Sequence, residues 1–225
     1  MSFSNDLIAQ LSKRVIAIDG PAGSGKSTVS RLVADKLGIG YLDTGAMYRV
    51  VALAGWQKSH NLDDETSFVQ VAQQSKIQVG EKVLLDSQDV SVQIRQHHID
   101  QIVSKVAAMP KVRKQLLLLQ YSWAKQNNGG VIEGRDIGSV VFPLASLKIY
   151  LTADSGVRAK RRSIQSAVDD LDSISNSIKS RDILDSSRTT APLIVPKDAQ
   201  IIDSSHQSIE QIVDYIIELS KKVGF

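Results

Sequence analysis

The chain has 225 residues, 42% hydrophobic and 23% charged, enough for one sizeable core and too ordinary in composition for a disordered or low-complexity protein. A formal net charge of +3 is too small to argue for nucleic acid, and no apolar run approaches membrane-spanning length, so neither partner is expected. The absence of cysteine excludes disulfides, thiolate metal sites and a cysteine nucleophile together, which suits a reducing compartment.

The opening MSFSNDLIAQLSKR lacks the basic-then-apolar order of a secretory signal, so a cytoplasmic chain is expected. Next, VIAID at 15–19 is a β-branched apolar run that reads as a strand, followed by the turn GPAGSGKS at 20–27. Val29, Leu32, Val33 and Leu37 then recur at helical spacing. Residues 39–43 predict a second strand, and Thr44 is placed to cap a helix carrying Tyr48 and Arg49. A helix is predicted over 63–74, then KIQVG and KVLLD as a small antiparallel pair inserted in the main fold. Pro110 suits a first helical position between two helices, because its missing N–H costs nothing there. Residues 131–133, 147–151 and 199–203 predict three more core strands. The last helix carries Ile209, Ile212, Val213 and Ile216 on one face, with Ser208 and Gln211 as a capping box. Strands alternating with helices imply an α/β fold with a mostly parallel sheet covered on both faces, and ligands at the carboxyl ends of its strands.

The turn after the first strand carries the strongest chemical signal. In GPAGSGKS the glycines let backbone N–H groups face one cavity, and the following helix presents its positive end to phosphate. This is the P-loop pattern, in which Lys26 reaches the β- and γ-phosphates and Ser27 offers its hydroxyl to magnesium. Gly20, Pro21, Ala22, Gly23, Ser24, Gly25, Lys26, Ser27 and Thr28 are the expected ATP-binding set. A P-loop serves kinases, GTPases and mechanical ATPases alike, so the phosphoryl acceptor must be read from other loops. No Asn-Lys-x-Asp segment for guanine is present.

Those loops are DTGAMYR at 43–49, EGRDIGSVVFP at 133–143, and the arginine and aspartate pattern from Arg181 to Pro192. Together with the P-loop, they resemble the bacterial cytidylate kinases, P-loop enzymes with a five-stranded sheet, an inserted nucleotide-binding region and a basic helical lid. The resemblance implies transfer of the γ-phosphoryl of ATP to CMP or dCMP, with Mg²⁺ accompanying ATP. It also implies a core over 1–60, 108–153 and 191–225, an insertion over about 61–107 and a lid over about 154–190. A monomer is expected.

Carried over by position, the resemblance assigns the acceptor phosphate to Arg49, Arg135 and Arg188, whose guanidinium forks match phosphate oxygens. It assigns base recognition to Ser104, Arg113 and Asp136, with Thr44 and Tyr48 lining the site. Arg181 and Asp185 would hold the sugar; their spacing also permits a plain salt-bridge ladder on one helix face. Asp136 alone could equally cap a turn, and Ser104 could lie on a helix surface. Arg158, Arg161 and Arg162 share a helical face in the lid, and the family pattern points to Arg158 and Arg162 as those entering the transition state. The catalytic set is therefore Lys26, Arg135, Arg158, Arg162 and Arg188. No general base is required, because the acceptor is already an ionised phosphate.

The chain departs from the family pattern in places. Glu133 stands where many relatives have Asp, and Leu184 and Ser186 where relatives often carry a basic residue. His97 and His98 have no partners at metal-ligand spacing and read as surface or helix-end residues. A kinase for another small metabolite, or a nucleotide-dependent module without turnover, would share the P-loop but not the remaining motifs.

Overall fold

The computed structural model describes residues 3–166 and 170–225; the part of the expected lid at 167–169 lies outside the described residues. An amino-terminal helix, α1 (Asn5–Ser12), is capped by the Ser4 side chain and buries Leu11. Its eight residues are too few for apolar spacing to reveal it in the sequence. The chain then enters β1 (Val15–Asp19), buried at every position. Val15 and Ala17 join one apolar cluster and Ile16 and Ile18 another, so the strand's two-residue period feeds a core on each face.

After the P-loop come α2 (Lys26–Leu37), β2 (Tyr41–Asp43) and α3 (Thr44–Gln57). The cap of α3 is Asp43 rather than Thr44: the Asp43 carboxylate accepts from the Ala46 N–H at 3.0 Å. The Thr44 hydroxyl is thereby free to donate to the Glu133 carbonyl at 2.7 Å, tying the second loop to the third strand.

The insertion contains α4 (Glu65–Gln74), then β3 (Ile77–Val79), β4 (Val83–Leu85) and the two-residue β5 (Gln88–Asp89). The antiparallel pair expected from the sequence is β3–β4, and β5 adds a third strand. Next, α5 (His97–Ala108) leads to α6 (Pro110–Gln126), with Pro110 in its first turn as expected. Phe68, Ile94, Ile99 and Val103 are continuous with the core around α3 and β1.

The remaining elements are β6 (Gly130–Gly134), a short π-helical turn over Ile137–Val141, β7 (Leu147–Thr152), α7 (Ser155–Ser166), α8 (Leu171–Ser187), β8 (Gln200–Asp203) and α9 (Ile209–Lys222). Both bonds of the Ser208–Gln211 capping box are made. The main sheet is wholly parallel, in the order β2-β6-β1-β7-β8. Helix α9 buries Ile212, Val213 and Ile216 on one face together with Val29 and Val33 of α2, while α3 to α6 cover the other. The connection after β1 runs toward one edge of the sheet and that after its neighbour β6 toward the other, opening a crevice at the carboxyl ends of these two central strands. No helix among the described residues is long and apolar enough to cross a membrane.

Helices α3 and α4 meet where Gly55 faces Phe68. A methyl group on Gly55 would lie 2.2 Å from the fully buried Phe68 ring. Gly55→Ala is therefore expected to destabilise the protein by about 1 to 3 kcal/mol, measured as a lowered urea midpoint with an unchanged slope.

Candidate active site

The crevice is a cavity of about 740 Å³ bounded by the P-loop, the loops after β2 and β6, helix α5 and helices α7 and α8 of the expected lid. At its base the P-loop bends through left-handed backbone at Gly23 and Gly25, where φ is 77° and 91°. Gly25 is the N-cap of α2 and supplies no side-chain cap, which leaves the first-turn amides of the helix open toward the cavity. Lys26 lies under this loop and donates to the Pro21 carbonyl at 2.8 Å. Burial and Arg135 push its ammonium pKa down, whereas burial and Asp43 push the Glu133 carboxyl up. The two groups attract each other across the cavity floor. Glu133 also accepts from the Tyr41 hydroxyl at 2.5 Å and bonds the Ser27 hydroxyl. Ser27 and Glu133 therefore form an oxygen pair beside the P-loop, a donor set that fits a hard divalent cation.

The opposite wall contains Tyr48, Arg49, Ser104, Arg113, Arg135, Asp136, Arg181, Asp185 and Arg188, and Thr44 lines the floor. Arg113 is ion-paired with Asp136, both side chains being less than 10% exposed, and also donates to the Ala107 carbonyl at 3.1 Å. The Asp136 side chain does not cap the π-helical turn that follows it, so its turn-capping role is set aside. Burial pushes the Asp136 carboxyl up, opposed by Arg113 and Arg188. The Arg113 guanidinium lies 5.4 Å from the centre of the Tyr48 ring, a cation–π contact. Ser104 lies on the inward face of α5 and not on the helix surface; its buried hydroxyl has no partner within the protein.

Asp185 binds Arg135 of the neighbouring loop at 2.9 Å and Arg188 at 3.7 Å, so it serves a ring of guanidiniums rather than a ladder along one helix. Burial raises the Asp185 carboxyl, but Arg135, Arg181 and Arg188 outweigh it and hold the pKa below the usual carboxylate range. The Nε of Arg181 and one terminal nitrogen of Arg188 are buried without a hydrogen bond in the protein. These orphaned donors, with Ser104, line the same cavity as Lys26. An anionic ligand with a polar ring is the chemistry that satisfies them.

Not every expected residue lines the cavity. Gly20, Pro21 and Ser24 form the framework behind it: a Cβ on Gly20 would meet the Leu151 carbonyl at 2.0 Å. Of the lid arginines, Arg162 lines it. Arg158 turns away to the Ala153 and Ala22 carbonyls at 3.1 and 3.0 Å and to Asp182 at 2.5 Å. Arg161 is anchored to the Ser204 carbonyl at 2.7 Å.

Comparison with known proteins agrees with this geometry. The family model for cytidylate kinase matches residues 16–222. This chain belongs to the cytidylate kinase family. The cytidylate kinase of Corynebacterium diphtheriae is 42% identical over 217 residues, covering 92% of this chain and 94% of that protein. The cytidylate kinase of Caldanaerobacter subterraneus is 43% identical over 212 residues, with the same coverage. A solved structure of an uncharacterized protein from Eubacterium ventriosum aligns with a TM-score of 0.52 over 92% of this chain and 98% of that chain, at 16% identity, and shares the fold.

Reading the sequence as a cytidylate kinase does not disclose four carboxylates that hold the site together. Asp43 caps α3, and Asp100 bonds Arg49 and Arg162 and accepts from Arg181 at 3.4 Å. Asp182 joins the Arg158 guanidinium to the Ala22 N–H, which it accepts at 3.3 Å. Asp19 accepts from the Ile137 and Gly138 N–H groups at 2.8 and 2.7 Å and so pins the segment after Asp136 to the end of β1. A signal existed for Asp100, which precedes Ser104 by one helical turn and shares its face.

Burial raises the Asp19 pKa from 3.8 to about 7, against the pull of its two amide donors. Between those values the folded state holds a proton that the unfolded chain has released. The contribution of Asp19 to stability is thus largest below the unfolded pKa and is lost as pH rises through the folded one. Asp19→Asn removes this loss. Its urea midpoint, relative to that of the unsubstituted protein, is expected to rise between about pH 4 and about pH 7 and to level off above.

Proposed function

We propose that this chain is an ATP-dependent CMP/dCMP kinase, forming CDP or dCDP and ADP. An oxygen of the acceptor phosphate bonds to the γ-phosphorus as the bond from that phosphorus to the β–γ bridging oxygen breaks. The observation that carries this reading is the convergence on one cavity of the P-loop, the buried Arg113–Asp136 pair and donors of Ser104, Arg181 and Arg188 that make no hydrogen bond within the protein.

In this reading the open amides of the P-loop and Lys26 hold the phosphates of ATP. The Ser27 hydroxyl would contact the Mg²⁺ that accompanies ATP, with Glu133 close to its bound water; the ion would neutralise phosphate charge. Arg49, Arg135 and Arg188 hold the acceptor phosphate, and Arg162 with Arg135 stabilises charge on the moving phosphoryl group. Arg158 acts at one remove, fastening the lid to the P-loop through Ala22 and Asp182. Arg181 and Asp185 face the sugar.

Cytosine offers an amino donor at N4 and acceptors at N3 and O2. A carboxylate with spare lone pairs at Asp136 complements the first, and the donors of Arg113 and Ser104 complement the others. Uracil reverses part of that pattern and would leave buried groups unpaired, a mismatch able to give discrimination of order 10⁴. Residues 61–107 would close over the acceptor and residues 154–190 over both nucleotides. The lid suits movement because the buried apolar residues of its own cluster are Ala159, Ile174 and Ile178, among the described residues.

ADP release in a coupled assay with CMP, dCMP, UMP, AMP and GMP tests the reading. Turnover is expected to be highest with CMP or dCMP. A protein that binds ATP but releases no ADP with CMP is not this enzyme, and turnover confined to another acceptor would mark a different small-metabolite kinase. Arg113→Met is expected to erode the preference for CMP over UMP, and Arg188→Met to lower turnover with every acceptor. Equal losses for all bases in both variants would reject that division of roles.

A further inference from the structure

The acceptor side of the cavity holds one carboxylate for which the reaction has no use. Asp100, in the first turn of α5, bonds Arg49 of α3 and Arg162 of α7 and accepts from Nη1 of Arg181 in α8 at 3.4 Å. All four side chains are largely buried, with Asp100 13% exposed. One residue of the insertion therefore gathers an arginine of the core and two of the lid.

Three guanidiniums around one carboxylate leave the cluster short of negative charge, and guanidinium forks bind phosphate as readily as carboxylate. Arg49 also donates to the Ile94 carbonyl at 2.8 Å, so its fork is turned toward Asp100 from a fixed base. Burial raises the Asp100 carboxyl, yet Arg49 and Arg162 outweigh it and hold the pKa below the ordinary value, leaving the group ionised at neutral pH.

We propose that Asp100 is an internal anion: it occupies Arg49, one of the acceptor-phosphate arginines, and pins the lid to the insertion until a phosphorylated acceptor displaces it. The proposal rests on the acceptor reading above. Binding CMP then exchanges one anion for another at Arg49, and the contacts surrendered by Asp100, with its repulsion of the arriving phosphate, weaken the observed affinity. Asp100 thus sets how tightly the acceptor phosphate is held. If it merely oriented Arg49 for the phosphate, its removal would weaken binding.

Calorimetric titration with CMP and with cytidine separates these cases in the unsubstituted protein, in Asp100→Asn, which preserves side-chain shape, and in Asp100→Ala, which removes it. CMP is expected to bind both variants at least about threefold more tightly, whereas cytidine, lacking the phosphate, should bind all three proteins alike. Amide hydrogen exchange in α7 and α8 is expected to be faster in the ligand-free variants than in the unsubstituted protein. If the unsubstituted protein binds CMP and both variants bind it equally or less tightly, or if cytidine affinity shifts as much as that of CMP, the internal-anion role is overturned. An unsubstituted protein that fails to bind CMP overturns the acceptor reading first and this role with it.

Discussion

Confinement of like charge governs this molecule. One cavity collects Lys26, Arg49, Arg113, Arg135, Arg162, Arg181 and Arg188, most of them largely buried. Removing one partner of a buried ion pair typically costs about 3 to 5 kcal/mol, so such a collection folds only if carboxylates are interleaved with it. Asp100, Asp136 and Asp185 supply them at the acceptor side, and Glu133 at the P-loop. The positive charge left over, including donors without a hydrogen bond in the protein, is directed at the place where a phosphate ligand is proposed to sit.

The sheet makes this arrangement possible by bringing loops from distant parts of the chain to one edge. β1 ends at Asp19, whose carboxylate accepts two amides from the segment after Asp136. The P-loop begins at the next residue. A single strand end therefore sets both the phosphate-donor loop and the loop that carries Arg135 and Asp136, and the two apolar clusters on either face of the sheet keep that end from shifting. Helices α7 and α8, the proposed lid, are built differently, with few buried apolar residues of their own among the described residues and several ionic contacts to their neighbours, as the proposed exchange of anions requires.

Local patterns were readable because their causes are local. The P-loop, the five parallel strands, Pro110 in the first turn of α6 and the capping box of α9 depend on residues within a few positions of one another. The cap of α3 was less legible: Asp43 and Thr44 are both good caps, and the choice fell to Asp43 because Thr44 has a carbonyl to meet on β6. Arg158 and Arg162 stand four residues apart with the same side chain, yet one is drawn to the P-loop and Asp182 and the other to Asp100. Helical spacing cannot separate them, since the partners of both lie far away in the chain.

The sequence by itself determined the α/β class, the phosphate-binding loop and, through four ordered motifs, the cytidylate kinase family, and it named candidate residues for each proposed substrate. Tertiary structure alone decided how those residues are balanced: which carboxylate answers which arginine, which donors are left for a ligand, and that Asp100 joins the insertion to the lid. The reason is physical. A motif records short-range backbone and hydrogen-bonding needs, whereas the partition of charge in a buried cavity depends on distances between side chains that only the folded sheet brings together.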